Sequence, residues 1–161
     1  MFVDTSAIVA ILCGEDDAAE LAGRLAAAQR RFTSPVVRLE ACMVLASKLD
    51  ITPAQANALF EDFLDETHLA IAPINDKIGV LAVACFESYG KGRHPARLNL
   101  GDCLSYACAK AYRSPLLFKG DDFSQTDIET TSARARNDPQ EESPEGNRAM
   151  GQAGLTARRL S

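Results

Sequence analysis

Residues 1–17 read MFVDTSAIVAILCGEDD, and the fold turns on this opening. Residues 2–4 form a very short apolar strand that ends on a carboxylate, Asp4, and the stretch from Thr5 to Cys13 has the spacing of an amphipathic helix. A strand that feeds straight into a helix in this way is the start of a parallel βαβ unit. Thr5 or Ser6 can cap the helix and leave Asp4 free, whereas an acid just before a helix can equally be the cap itself.

The same alternation continues along the chain. GEDD breaks the first helix, and a second is expected from about Ala18 to Gln29, its acids early and its arginines late, as the helix dipole favours. RRFTSP runs from a short strand into Ser34–Pro35, a cap followed by a first-turn proline, and so into a helix to about Leu49. TPAQ, residues 52–55, repeats the device with a capping box; the acids Glu61, Asp62, Asp65 and Glu66 on that helix read as a solvated face. HLAIAPI, residues 68–74, is strand-like, with His68 at its edge, and a further helix from Asn75 or Asp76 ends near Gly90. GKGRHPARLN is a basic loop, LGDCLSYACAKAY a buried helix, PLLFKG a core strand, and DDFSQTDI a turn with at most a short helix. The expected fold is α/β, a three-layer α/β/α sandwich around a central, mostly parallel sheet.

Composition bounds what such a domain does. At 161 residues and 47% apolar content the chain can bury one sizeable core, and no apolar run reaches membrane-spanning length. Asp4 interrupts what would be the apolar part of a secretory leader, so a cytoplasmic location is expected. The five cysteines contain no CxxC pair and mostly lie among apolar residues, which argues against zinc and against a disulfide framework. From Ala133 onward periodicity disappears and Pro, Gly, Ser, Glu and Arg dominate, so residues 1–132 are expected to form the domain and 133–161 a disordered tail. That tail holds five basic and four acidic residues, leaving 12 basic against 18 acidic before it. The acidic excess belongs to the domain, and bulk charge argues against a protein that coats itself with nucleic acid. Basic residues still gather locally, above all Lys91, Arg93, His94 and Arg97; this loop is either solvated surface or a track for a phosphate backbone.

Carboxylates carry the chemistry. Glu40 has Val36, Val37, Met43 and Val44 as its helical neighbours, so its helix puts an acid on an apolar face. Such a group protonates, pairs with an arginine or binds a cation. Asp4 stands at the carboxyl end of the first strand, where open α/β sheets bind ligands. Asp102 lies in the first turn of its helix, three residues after a cap at Asn99, and dipole stabilisation alone would account for it. Asp121 and Asp122 end the PLLFKG strand and read as turn residues or as strand-end ligands. As a set these acids demand more. Two carboxylates about 4 Å apart repel by about 4 kcal/mol at an effective dielectric of 20, so four on one sheet edge need protons or a cation. With no His or Cys nearby, an all-oxygen donor set selects a hard ion, Mg²⁺ or Mn²⁺.

Over roughly residues 1–130 the chain resembles PIN-domain ribonucleases of the VapC toxin type. The likeness rests on FVDTSAIVAIL, SPVVRLEACMVL, LNLGDCLSYACAKA and PLLFKGDDFSQTDI, which are similar in order and spacing to the four acidic motifs of that family. It implies Mg²⁺-dependent hydrolysis of RNA phosphodiester bonds, with Mn²⁺ as a substitute, and Asp4, Glu40 and Asp102 as metal-site acids. The fourth acid is Asp121 by spacing from Asp102, with Asp122 retained as a further metal-site residue, and Ser6 supports Asp4 by hydrogen bonding. A cognate VapB-like antitoxin, a homodimer and the role of toxin are implied as well. Two alternatives stand beside this reading: a haloacid-dehalogenase-like phosphatase, which usually has a second Asp where this chain has Ser6, and an inactive PIN-like regulator that binds RNA or protein.

Overall fold

The computed structural model describes residues 1–130; the expected tail, 133–161, lies outside the described residues. Four short strands form a parallel sheet in the order β3-β2-β1-β4. They are β1 (Phe2–Val3), β2 (Phe32–Thr33), β3 (Ala70–Ile71) and β4 (Leu116–Leu117). Around them lie α1 (Thr5–Leu12), α2 (Ala18–Ala27), α3 (Pro35–Leu49), α4 (Pro53–Thr67), α5 (Asp76–Tyr89) and α6 (Leu100–Ala111), and a 3₁₀ turn spans Asp122–Gln125. This is the expected three-layer α/β/α arrangement.

The sheet is small but well buried at its centre. Phe2 pairs with Phe32 on one side and with Leu116 on the other, and all three are buried. A parallel strand covered by helices on both faces has no reason to alternate polar and apolar residues, which is why β1 and β4 read as plain apolar pairs. β3 is the exception: Ala70 and Ile71 are exposed, as an edge strand allows. It is also much shorter than the HLAIAPI stretch suggests. His68 is not a strand-edge residue but the C-cap of α4, in the left-handed conformation with φ 51°.

The capping signals materialise: Ser34 accepts from the Val37 amide, and Thr52 with Gln55, like Asn99 with Asp102, completes a capping box. Helix α5 packs on α6, α3 on α4, and α1 on both α2 and α3. The strand order has a functional consequence. β1 connects onward to β2 on one side, whereas β4 arrives on its other side, so the sheet changes winding direction between β1 and β4. Asp4 stands at the end of β1 beside that crevice, its amide bonded to the Leu117 carbonyl at 2.9 Å.

Candidate active site

At the carboxyl ends of β1 and β4 lies an open cavity of about 390 Å³, lined by Asp4, Glu40 and Asp102 together with Thr5, Ser6, Asn99, Glu15, Lys48 and Lys119. Three acids from distant parts of the chain therefore meet in one place.

Asp4 is buried, 5% exposed, and its carboxylate is held on both oxygens. Oδ2 accepts from the Ser6 amide at 3.0 Å and from Ser6 Oγ at 2.7 Å, and Oδ1 accepts from Ser105 Oγ at 2.7 Å. Asp4 is itself the N-cap of α1, so the expectation that Thr5 or Ser6 would cap the helix and free Asp4 does not hold. The reason is positional: Thr5 and Ser6 already lie in the first turn, and only the preceding residue, extended at φ −81° and ψ 162°, can turn its side chain back to the exposed amides. A carboxylate offers about four lone-pair sites, so Asp4 caps the helix and still faces the cavity. Ser6 does a further job, since its Oγ accepts from the Lys119 amide at 3.0 Å and ties α1 to the end of β4.

Glu40 is half-buried, because Met43 and Val44 on its helix turn out to be exposed and only part of the expected apolar face is covered. Among the described residues it makes no ion pair with an arginine; Arg38 instead bonds Asn57 and Glu61. Its Oε2 accepts from Thr5 Oγ1 at 2.9 Å. Burial, with Asp4 nearby, nevertheless pushes its carboxyl above the usual range. The carboxylate rests directly on α6: a Cβ placed on Gly101 would stand 2.3 Å from Oε1 and 2.6 Å from Oε2.

Asp102 completes the capping box, accepting from the Asn99 amide at 2.8 Å. Its pKa is pushed up to about 6, first by burial and then by the charges of Asp4, Asp122 and Glu40. Asp122 is thus electrostatically part of the group, whereas neither it nor Asp121 lines the cavity. Asp121 closes the turn with its backbone, accepting from Ser124. Because the folded-state pKa of Asp102 is raised, the stability this residue contributes is complete below its ordinary value of 3.8 and is lost as pH rises through about 6. In EDTA, Asp102→Asn is therefore expected to melt higher than the unaltered protein at pH 7, and thermal melts should show the difference shrinking toward pH 4.

Several residues in or behind the cavity wall escape a reading of the sequence. Ser105 is 1% exposed and three residues beyond Asp102, which puts both on one helical face; a lone hydroxyl within CLSYACA was the available signal. Gly101 was signalled only as a costly glycine inside a helix. Lys119 and Lys48 both engage Glu15, and Lys119 also bonds Asp17 at 2.8 Å, so the cationic wall of the cavity is already neutralised.

The donors facing the cavity are oxygens, with no His or Cys among its lining residues, which suits a hard cation. Among the described residues no three acids, imidazoles or thiols stand close enough to close a cage. Mg²⁺ does not need one, because it retains several waters and takes only one or two carboxylates directly.

An open parallel α/β domain that gathers carboxylates at its switch point is the class this structure defines. Within that class the chain belongs to the PIN domain family, whose model matches residues 1–129. It is 45% identical over 130 residues to ribonuclease VapC28 of Mycobacterium tuberculosis, an alignment covering 80% of this chain and 96% of that one. To the VapC ribonuclease Mb0640 of Mycobacterium bovis it is 37% identical over 132 residues, 82% and 98% of the two chains. Among solved structures it resembles the M. tuberculosis toxin VapC20, described as cleaving the sarcin-ricin loop, with TM-score 0.63, 17% identity, and coverage of 79% and 95%. A toxin-antitoxin complex from Klebsiella pneumoniae aligns with TM-score 0.56 and 22% identity, covering 78% and 92%.

Proposed function

We propose that this protein is a Mg²⁺-dependent ribonuclease, cytoplasmic, and the toxic component of a VapBC-type toxin-antitoxin pair. The observation that carries the proposal is the convergence of Asp4, Glu40 and Asp102 on one cavity, where burial, and after it the neighbouring carboxylates, push the pKa of Asp102 up to about 6. The naming of relatives at 37% and 45% identity as VapC ribonucleases supports it. When bound there, a divalent cation supplies charge neutralisation and a water of lowered pKa. Asp4, fixed by Ser6 and Ser105, is the rigid ligand; Glu40 and Asp102 are ligands or orient water; Asp122, whose charge acts on Asp102, is a better fourth acid than Asp121. Ser6 is engaged in holding Asp4 and no acid stands at its position, which together with family membership removes the footing of the dehalogenase-like reading.

A strip of exposed apolar side chains, including Val83 at 70% and Leu100 at 77%, flanks a groove between α5 and α6 and supports a homodimer. The solved toxin-antitoxin complex of similar fold supports a VapB-like antitoxin as the second partner. No helix among the described residues is long and apolar enough to cross a membrane. The test is direct: purified protein, freed of antitoxin, is expected to cut RNA in Mg²⁺ or Mn²⁺ and to stop when EDTA is added. Cleavage that survives EDTA would overturn the metal-dependent reading.

A further inference from the structure

The loop 91–97 gathers three cations within seven residues of this acidic chain, whereas the others outside any ion pair or side-chain hydrogen bond among the described residues, Arg30, Lys77 and Arg113, stand singly along it. Elsewhere the cations with partners are bound to them: Arg24 to Glu20, Arg38 to Glu61, Lys48 to Glu15, Lys110 to Asp127, and Lys119 to Glu15 and Asp17. Arg31 caps the carbonyls of Ala26, Ala28 and Thr67. Lys91, Arg93 and Arg97 are all exposed and take part in no ion pair among the described residues, and no acid lies within the loop itself.

These charges sit on a fixed frame. The Lys91 amide donates to the Leu98 carbonyl and the Leu98 amide to the Tyr89 carbonyl, both at 3.0 Å, closing the loop at its base. Within it the Arg93 and His94 amides both donate to Gly90, the Arg97 amide donates to His94, and His94 Nδ1 accepts from the Ala96 amide at 3.1 Å. Ala96 and Leu98 are buried and anchor it. Arg93 lies over the Phe86 ring at 5.2 Å, and His94 meets Tyr89 edge-on at 5.2 Å. The loop then runs directly into Asn99, a wall of the acidic cavity and the cap of the helix that bears Asp102.

Unpaired cations on a preorganised frame attract a polyanion with little ordering cost. Interleaved aromatic rings are what single-stranded nucleic acid uses and what an acidic peptide does not need. We propose that the loop 91–97 binds the phosphate backbone of single-stranded RNA and guides the strand along Asn99 into the cavity. The proposal rests on the ribonuclease reading and names how its substrate is held.

The test compares a short single-stranded RNA binding to the full chain with and without Lys91→Gln, Arg93→Gln and Arg97→Gln together, in an Asp4→Asn background so that the strand stays intact. Three lost phosphate contacts are expected to flatten the slope of log affinity against log salt concentration by about 2. Lys91→Gln alone, which removes a side chain with no hydrogen bond or ion pair among the described residues, is expected to flatten it by about 0.7. In the otherwise unaltered enzyme the triple substitution should raise KM and leave kcat in place. Unchanged slopes in both variants would overturn the proposal, including the case in which the loop instead docks an acidic protein segment. RNA that binds with the expected slopes but is not cut in Mg²⁺ would sink the ribonuclease reading and leave the loop assignment standing.

Discussion

Asp4→Asn is expected to lower RNA cleavage by more than about 100-fold while leaving the domain folded. Loss of a residue that merely orients a metal ligand costs roughly 10- to 100-fold, and loss of the charge on a direct ligand should exceed that. The fold survives because asparagine caps a helix about as well as aspartate, so the Ser6 amide keeps its acceptor. Ser105 Oγ, which now donates to Oδ1, can turn its hydroxyl to accept from the new amide. Cleavage assays in Mg²⁺ beside a circular dichroism melt separate the two effects. An active variant would remove Asp4 from the machinery, and a molten one would show that its charge holds the core.

The second large effect falls on a residue that carries no functional group. Gly101→Ala should leave α6 as stable as before or more so, since alanine in a helix is favoured over glycine by about 1 kcal/mol. The new methyl group would nevertheless occupy the place of the Glu40 carboxylate, 2.3 Å from Oε1. Glu40 is a flexible side chain and half-exposed, so it would swing away rather than unfold the protein. A misplacement of about 1 Å in a catalytic group can cost about 100-fold in rate, and a loss of that order is expected here. Combining Gly101→Ala with Glu40→Asp retracts the carboxylate from the clash, so the double variant should be less impaired than the product of the single losses. Titration calorimetry with Mn²⁺ gives an independent readout: weakened binding in Gly101→Ala with an unchanged melt supports the account, and unaltered binding and cleavage would refute it.

Both predictions concern one device, a set of carboxylates crowded beyond comfort. Burial first, and then the neighbouring carboxylate charges, raise the pKa of Asp102 and of Glu40. Each acid is nonetheless given a specific neutral donor, Ser6 and Ser105 for Asp4, Thr5 for Glu40 and the Asn99 amide for Asp102, and among the described residues none is paired with a lysine or arginine. Neutral donors fix direction without cancelling charge. The lysines nearest the cavity are bound instead to Glu15 and Asp17, which leaves the net negative potential in place for a cation.

Much of this was legible in the chain. The alternation of short apolar strands with capped helices gave the layers, because hydrophobic spacing and capping act over a few residues. Ser34, Thr52, Asn75 and Asn99 all cap as their local sequence says. Glu40 stood out because an acid on an apolar helix face costs free energy locally, whereas Asp4 and Asp102, each explicable alone as a helix cap or first-turn acid, stood out only as members of the set. The tertiary structure decided what depends on distant approach. Ser105 reaches Asp4 across 101 positions, and Gly101 meets Glu40, only because β4 joins the sheet beside β1 and brings α6 against α3. The same docking puts Asp122, with Asp4 and Glu40, among the charges that Asp102 feels, and it pairs Lys110 with Asp127 and Lys119 with Glu15 while the loop 91–97 keeps three cations without an ion pair among the described residues. Local sequence sets the elements and marks the unusual acids; which groups share a cavity is a property of strand order, which no short window of sequence contains.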